Sequence, residues 1–238
     1  MQNFLKQGLR RLRLAAKKRL GHEPIIALDK RLLLERHGSE YGGWKIPGGR
    51  LDRNSAVIDI GLGEDVSFSQ SLISRYGCTV HGFEPTPRSI AYVERLAPPS
   101  FVLHKFGISA RSGKATFHLP NDERHVSGSL VSVGHVGQRS VEVELLSCGD
   151  VIDRVCADRI DLMKMDVEGA EYDVFASDSF RQNAHRIDMI CVEFHHRWDV
   201  FGPAATERAV SHLRSLGFAC VWCSPTTNEE FTFVRASD

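Results

Sequence analysis

Acidic side chains stand at or near the end of four apolar segments in this sequence. They are Asp59 in AVIDI, Glu84 in TVHGFE, Asp166 in IDLMKMD and Glu193 in IDMICVEF. His195 and His196 come directly after the last segment. A buried acid without a partner costs free energy, so acids and imidazoles at strand ends indicate a functional site more than a structural one. We predict catalytic roles for four residues: Asp166, Glu193, His195 and His196.

Two glycines follow the first acid and leave the backbone bare. Gly61 and Gly63 come just after Asp59, and glycine permits tight turns and close approach of a ligand to the main chain. Ligands of a doubly wound sheet bind outside the carboxyl ends of its strands, where Glu84 could accept hydrogen bonds from both ribose hydroxyls. We predict a nucleotide-like cofactor bound by Asp59, Gly61, Gly63, Glu84, Gly107 and Asp166.

Two classes of cofactor compete for the glycine loop. The dinucleotide fingerprint needs a third glycine, but Val66 occupies that position. Glu64 and Asp65 would repel the pyrophosphate of NAD(P) at the start of the next helix. S-adenosylmethionine carries an ammonium and a sulfonium instead of phosphates, so the local charge favours it. An NAD(P)-dependent oxidoreductase is the less favoured alternative.

Apolar runs alternate with helical segments along most of the chain. Buried strands are predicted at 56–60, 79–84, 101–106, 160–166 and 187–194, with helices between them. The alternating segments 114–119 and 140–146 predict an inserted ribbon, and FACVW and EFTFV a terminal antiparallel pair. The glycine-rich EYGGWKIP (40–47) is interpreted as a loop. The pattern predicts an α/β fold with a doubly wound, mostly parallel sheet.

The first twenty residues form a basic amphipathic segment, which we assign to an extension over 1–37, before a main domain over 38–238. No acid precedes Glu23, while Leu5, Leu9, Leu12, Ala16 and Leu20 recur at helical spacing. We expect this apolar face to dock on the main domain or on a second subunit of a homo-oligomer. Peripheral contact with an anionic membrane is the alternative.

Composition limits the class of protein further. The 30 Lys and Arg balance the 30 Asp and Glu, so bulk charge gives no argument for a nucleic-acid partner. The sequence shows neither a transmembrane run nor the features of a signal peptide. Six scattered cysteines are expected to be reduced thiols in the cytoplasm, and the single C-x-x-C at Cys220 and Cys223 is weak evidence for zinc.

These motifs together resemble the FkbM-type S-adenosylmethionine-dependent methyltransferase family. The matching segments are YGGW (41–44), VIDIGLGEDVSF (57–68), FEPTPRSI (83–90), SGSL (127–130), LMKMDVEGAEY (162–172) and VEFHHR (192–197). The resemblance implies a class I Rossmann-like methyltransferase fold, and usually O-methylation of hydroxyls on sugars, glycans or secondary metabolites. It also implies that Asp59, Gly61, Gly63 and Glu84 hold the cofactor. Many members have G-A-N-x-G where this chain has Gly61-Leu62-Gly63-Glu64-Asp65.

The expected reaction needs a base for the hydroxyl proton. A pKa near 7 favours His195 or His196, with Asp166 or Glu193 orienting the ring or acting as the base. No metal ligand is assigned, although Mg²⁺ held by the acids and a histidine is an alternative. The predicted contacts to the acceptor are Trp44, Ser127, Ser129 and Glu168. A catalytically degenerate cofactor-binding module is the alternative from another class of function.

Overall fold

A seven-stranded sheet forms the centre of the protein. The computed structural model describes residues 2–40, 42–120 and 136–236. The seven strands are β3 (Ala56–Ile60), β4 (Thr79–Phe83), β5 (Phe101–His104), β9 (Leu162–Met165), β10 (Met189–Glu193), β11 (Phe218–Cys223) and β12 (Glu230–Arg235). Their order is β11-β12-β10-β9-β3-β4-β5, and β12 runs antiparallel to the other six strands. This confirms the predicted mostly parallel sheet and its terminal antiparallel pair.

Helices cover both faces of this sheet. They are α2 (Ser67–Tyr76), α3 (Pro87–Leu96), α4 (Cys148–Val155), α5 (Glu171–Ala176), α6 (Asp178–Asn183) and α7 (Pro203–Ser215), with a 3₁₀ turn at Ala184–Arg186. Neighbouring strand residues point to opposite faces, so Val57 packs with Leu72 of α2 while Ile58 packs in the core formed with α4 to α7. Both faces of the central strands are therefore covered, which explains why their sequences are mostly apolar.

Two smaller sheets flank the large one. The predicted ribbon is confirmed: β7 (Gly113–Pro120) pairs antiparallel with β8 (Val136–Leu146), which also pairs with β6 (Gly107–Ile108). The interpretation of 40–47 as a loop is wrong in its second half, because β2 (Trp44–Pro47) pairs with β1 (Leu34–His37). Trp44 and Ile46 are buried on either side of the less buried Lys45, which is the alternation of a strand. The strand is only four residues long and follows two glycines, so the glycines dominated the interpretation.

The N-terminal helix contacts the domain through an unexpected side chain. In α1 (Gln2–Arg19), Leu14 is only 7% exposed, whereas Leu9, Leu12 and Leu20 are 51%, 71% and 71% exposed. The expectation that the leucine face docks on the main domain is therefore wrong. Position 14 lies about 200° around the helix from position 12, so burying Leu14 turns the stripe outward.

The segment after α1 runs across the far edge of the large sheet. Asp29 N–H donates to the Cys220 carbonyl of β11 at 2.8 Å, and Arg214 of α7 donates to Asp29. The predicted boundary between the N-terminal extension and the main domain falls at residue 37, between the two paired strands β1 and β2. The division of the chain into these two parts stays a prediction. Within the described ranges, no helix combines the length and apolar character needed to cross a membrane.

Candidate cofactor and active site

Four strand ends lie level at one edge of the sheet. The pairing register places Ile60 beside Phe83 and Met165, and Met165 beside Val192. The next residue of each strand therefore lies in one row: Gly61, Glu84, Asp166 and Glu193. A cavity of about 950 Å³ opens above this row and is lined by all four. The order of connections reverses at β3, so this is the switch point at which such sheets bind ligands.

The loop after β3 requires glycine at its first position. Gly61 has φ +79°, and a Cβ there would lie 1.7 Å from the carbonyl oxygen of Asp166. Its N–H donates to the Phe83 carbonyl at 3.0 Å, which holds the loop against the end of β4. The loop therefore lies tightly between the ends of β4 and β9.

Glu84 holds the glycine loop through its carboxylate. One oxygen accepts hydrogen bonds from the N–H groups of Leu62 (3.1 Å) and Gly63 (3.0 Å). The other accepts from the N–H (2.9 Å) and hydroxyl (2.6 Å) of Thr86, at the start of α3. Burial raises the pKa of Glu84, and these four bonds oppose that shift. The side chain faces the cavity as predicted, but the protein itself already uses its acceptor positions.

Acidic side chains also stand at the N-terminus of α2. Glu64 pairs with Arg88 at 2.7 Å, and Asp65 accepts from the Ser67 N–H and the Ser39 hydroxyl, each at 2.8 Å. Burial opposes ionisation of Asp65, but its hydrogen bonds to Ser67 and Ser39 outweigh this effect and lower its pKa. Both acids line the cavity, so this helix start suits a cation better than a phosphate.

A buried lysine beneath the loop escaped the sequence analysis. Lys164 is the register partner of Asp59, and its Nζ lies 3.3 Å from an Asp59 carboxylate oxygen. The ammonium also donates to the Gly61 carbonyl at 2.8 Å and lies 3.9 Å from Asp166. Asp59 accepts a further bond from the Ser69 hydroxyl at 2.6 Å, so it anchors Lys164 at the cavity floor. A lysine inside the apolar run LMKM was the available signal.

Asp166 and Glu193 form the acidic end of the cavity. Among the described residues, no hydrogen-bond donor reaches either carboxylate, although Lys164 and His195 each lie 3.9 Å from Asp166. Burial raises the pKa of both groups, and the charge of Asp166 raises that of Glu193 further. Lys164 and His195 counteract the shift at Asp166. The pair therefore retains a proton to higher pH than isolated carboxyl groups would.

His195 lies behind this acidic pair and is held between two glutamates. Its Nδ1 is 3.1 Å from Glu171, and its Nε2 is 3.2 Å from Glu168, which lines the cavity. Burial disfavours the imidazolium, but hydrogen bonds to Glu168 and Glu171 outweigh this effect and hold the pKa of His195 well above its usual range. A protonated ring has no free lone pair, so this geometry gives His195 a positioning role. Glu171, to which the sequence analysis gave no role, is fully buried beneath this ring.

His196 points away from the cavity. Its Nε2 lies 2.9 Å from Glu23, which also binds Arg197 and Asn228. Burial lowers the pKa of His196, so the ring is neutral. The structure does not bring His196 to the other predicted catalytic residues. Glu23, which the sequence analysis did not single out, ties the end of the N-terminal segment to the strand-end loops.

The remaining predicted residues divide into three groups. Gly63, Gly107 and Glu168 line the cavity. Trp44 also borders it but is 2% exposed in the core, whereas Trp222 in the same wall is partly exposed and offers a better stacking face. Ser127 and Ser129 lie outside the described residues, as does Tyr41 of the YGGW motif.

One set of atoms has metal-ligand spacing. A carboxylate oxygen from each of Asp166 and Glu168 and a ring nitrogen of His195 lie within 4.8 Å of one another. Mg²⁺ prefers oxygen ligands, and a metal needs a neutral imidazole. In this structure the two ring nitrogens of His195 lie 3.2 Å from Glu168 and 3.1 Å from Glu171, so these side chains form a hydrogen-bond network.

Comparison with known protein families agrees with this geometry. Residues 58–220 match the Methyltransferase FkbM domain. The chain belongs to this family. The match and the sheet order confirm the class I fold of S-adenosylmethionine-dependent methyltransferases. No curated protein matches the FkbM-family chain.

Solved structures similar to this FkbM-family protein are distant from it in sequence. One is a fibrillarin pre-rRNA processing protein of Methanococcus jannaschii, at 12% identity and TM-score 0.45, covering 78% of this chain and 69% of that one. Another is Aeropyrum pernix fibrillarin with natively bound S-adenosyl-L-methionine. Its identity is 11% and its TM-score 0.43, and the match covers 79% of this chain and 68% of that one. A third is precorrin-6y C5,15-methyltransferase of Geobacter metallireducens. Its identity is 13% and its TM-score 0.42, and the match covers 79% of this chain and 83% of that one. These distant likenesses say nothing about the methyl acceptor.

Proposed function

We propose that this protein transfers a methyl group from S-adenosylmethionine to a hydroxyl of a sugar, glycan or secondary metabolite. One observation carries the proposal. The Glu84-held glycine loop and the Asp166–Glu193 pair lie in one row under one cavity. A cofactor site and a proton acceptor are therefore adjacent, as methylation of a hydroxyl requires.

The residues on the cofactor side fit S-adenosylmethionine. Gly61 and Gly63 keep the main chain accessible to a nucleoside, while Glu64 and Asp65 favour the cationic end of the cofactor over a pyrophosphate. Glu84 keeps the loop in shape through four hydrogen bonds. We expect it to contact ribose hydroxyls only in exchange for one of these bonds.

The residues on the acceptor side supply the proton chemistry. When bound, S-adenosylmethionine offers an electrophilic methyl group and leaves as S-adenosylhomocysteine. Asp166 accepts the hydroxyl proton, because its carboxylate faces the cavity and no donor in the described part of the chain reaches it. Lys164 and His195 favour the charged form of Asp166, and Glu193 orients the acceptor. Trp222 gives the cavity an aromatic wall against which a sugar ring can pack.

The test separates turnover from cofactor binding. Asp166→Asn should lower kcat by about 10²–10³-fold on a panel of sugars, nucleotide sugars and phenols, because it removes the base but keeps the shape. Affinity for S-adenosylmethionine, measured by calorimetry, should change much less than kcat, because the glycine loop and Glu84 are unaltered. Asp178→Asn is the control, since Asp178 is exposed and pairs with Arg181, far from the strand-end row. Wild-type protein that binds the cofactor but forms no S-adenosylhomocysteine with any hydroxylated acceptor would favour a binding module instead.

Chelation tests the hydrogen-bond network in the same assay. If Glu168 and Glu171 hold His195 by hydrogen bonds alone, EDTA should leave turnover unchanged. Loss of turnover with EDTA, restored by a divalent ion, would replace the network with a metal site at Asp166, Glu168 and His195.

A further inference from the structure

We propose that α1 docks this protein on an anionic lipid surface, with the face containing Leu9, Leu12 and Leu20 inserted among the headgroups. The proposal does not depend on the reaction, because it rests on the outer face of α1 and its readout is binding to vesicles. Three observations support it: the distribution of exposed apolar side chains, the cations around them and the side of α1 that is buried.

Exposed large apolar side chains are concentrated in the N-terminal segment. Seven of the ten in the described part of the chain lie between residues 9 and 33: Leu9, Leu12, Leu20, Ile25, Leu28, Leu32 and Leu33. The segment after α1 is fixed against the domain, since Ile25 N–H donates to Glu207 and Asp29 N–H to Cys220. A concentration of this kind on one segment marks an interaction surface, whereas scattered exposed side chains do not.

The apolar stripe of α1 is bordered by cations. At about 100° per residue, Leu9, Leu12, Ala16 and Leu20 fall within about 80° of the helix surface. Arg13 and Arg19, both exposed, lie at its two borders. Long cationic side chains at such borders can reach headgroup phosphates while the leucines between them enter the acyl boundary.

Charge favours a lipid surface over a second copy of the chain. The first 22 residues contain no acid. A two-fold contact through α1 would bring the same cations of two copies together, and their repulsion would oppose the apolar contact. An anionic leaflet attracts these cations while it accepts the leucines.

The inner side of the same helix reaches the active-site cavity. Leu14 packs inward, and Arg10 and Arg11 line the cavity together with Trp222 and Thr226. Docking through the outer stripe therefore leaves the contacts of α1 with the domain intact.

The experiment uses the full chain and co-sedimentation with vesicles. Wild-type protein should bind vesicles of phosphatidylglycerol and phosphatidylcholine but not phosphatidylcholine alone. Binding should weaken steeply between about 0.05 and 0.5 M salt, since screening removes the attraction. The variant Leu9→Gln/Leu12→Gln/Leu20→Gln should bind at least about tenfold more weakly, and glutamine keeps helix propensity close to that of leucine.

The matched control removes three exposed apolar side chains elsewhere. Leu96→Gln/Val102→Gln/Val200→Gln should bind vesicles as wild type does, because these positions lie outside the basic segment. Equal binding by the α1 variant, or no binding of wild type to anionic vesicles, would overturn the proposal. A wild-type dimer that the α1 variant dissociates, without vesicle binding, would assign the stripe to a second copy.

Discussion

The two halves of the strand-end row differ in how their acids are hydrogen-bonded. On the β3–β4 side, Glu84 accepts four hydrogen bonds from the loop and from α3. On the β9–β10 side, no donor among the described residues reaches the carboxylates of Asp166 and Glu193. Both halves are built on the same row of the same sheet, so the difference comes from the loops that follow the strands.

This difference matches two kinds of task. A saturated carboxylate fixes the backbone around it, which suits a loop that must be in shape before a ligand arrives. An acid that keeps its acceptor positions free carries a cost to the fold but can accept a proton. Lys164 connects the halves, since it touches Gly61 and Asp59 on one side and lies near Asp166 on the other.

The largest expected effect comes from the tight contact between the halves. In Gly61→Ala the added Cβ would overlap the Asp166 carbonyl, so we expect a loss of about 3–5 kcal/mol in the free energy of unfolding, and loss of cofactor binding. Gly49→Ala is the matched control, because Gly49 has φ +71° but open space around its Cβ position. It should cost only about 1–2 kcal/mol for the left-handed backbone. Equal costs in denaturant unfolding would show that the packing at Gly61 is unimportant.

Lys164→Met should cost nearly as much. It keeps the shape of the side chain but leaves Asp59 buried without its cation, which typically lowers the free energy of unfolding by about 3–5 kcal/mol. Lys105→Met removes a lysine from an exposed pair with Glu94 and should stay within about 1 kcal/mol. Chemical denaturation of both variants at pH 7 measures the difference, and a small change in both would mean that Asp59 is not held by Lys164.

The smallest expected effect, which tests the contrast most directly, comes from replacing Glu84 and Glu193 by glutamine in separate variants. Glu84→Gln should cost about 2–3 kcal/mol and weaken cofactor binding, because the new amide turns N–H groups toward existing donors. Glu193→Gln should be neutral or slightly stabilising while turnover falls, because it removes an acid that no described donor satisfies.

The sign of the Glu193 effect also fixes its pH dependence. The pKa of Glu193 is raised in the folded protein to about 9, so its ionisation destabilises the fold as pH rises above the ordinary carboxyl range. The advantage of Glu193→Gln in unfolding free energy should therefore grow from pH 5 toward pH 9. If Glu84→Gln and Glu193→Gln lowered the free energy of unfolding equally at every pH, the two halves of the row would not differ in how their acids are held.

Local patterns predicted the row itself. Apolar runs ending in acids located β3, β4, β9 and β10, and parallel strands necessarily bring their ends to one edge. Glycines 61 and 63 located the loop. The structure brings Asp59, Glu84, Asp166 and Glu193 to one cavity, and their roles there stay predictions.

The sequence by itself determined which residues end the strands, because period and composition act within a few neighbouring residues. Only the tertiary structure decided the partners: Lys164 for Asp59, Glu171 for His195, Glu23 for His196 and the domain for Leu14. These contacts join residues far apart in the chain, and the pairing of Asp59 with Lys164 is set by the register of two strands. The sequence shows which leucines share a face of α1 and that two histidines are adjacent. Which of these side chains is buried, and against what, depends on long-range packing.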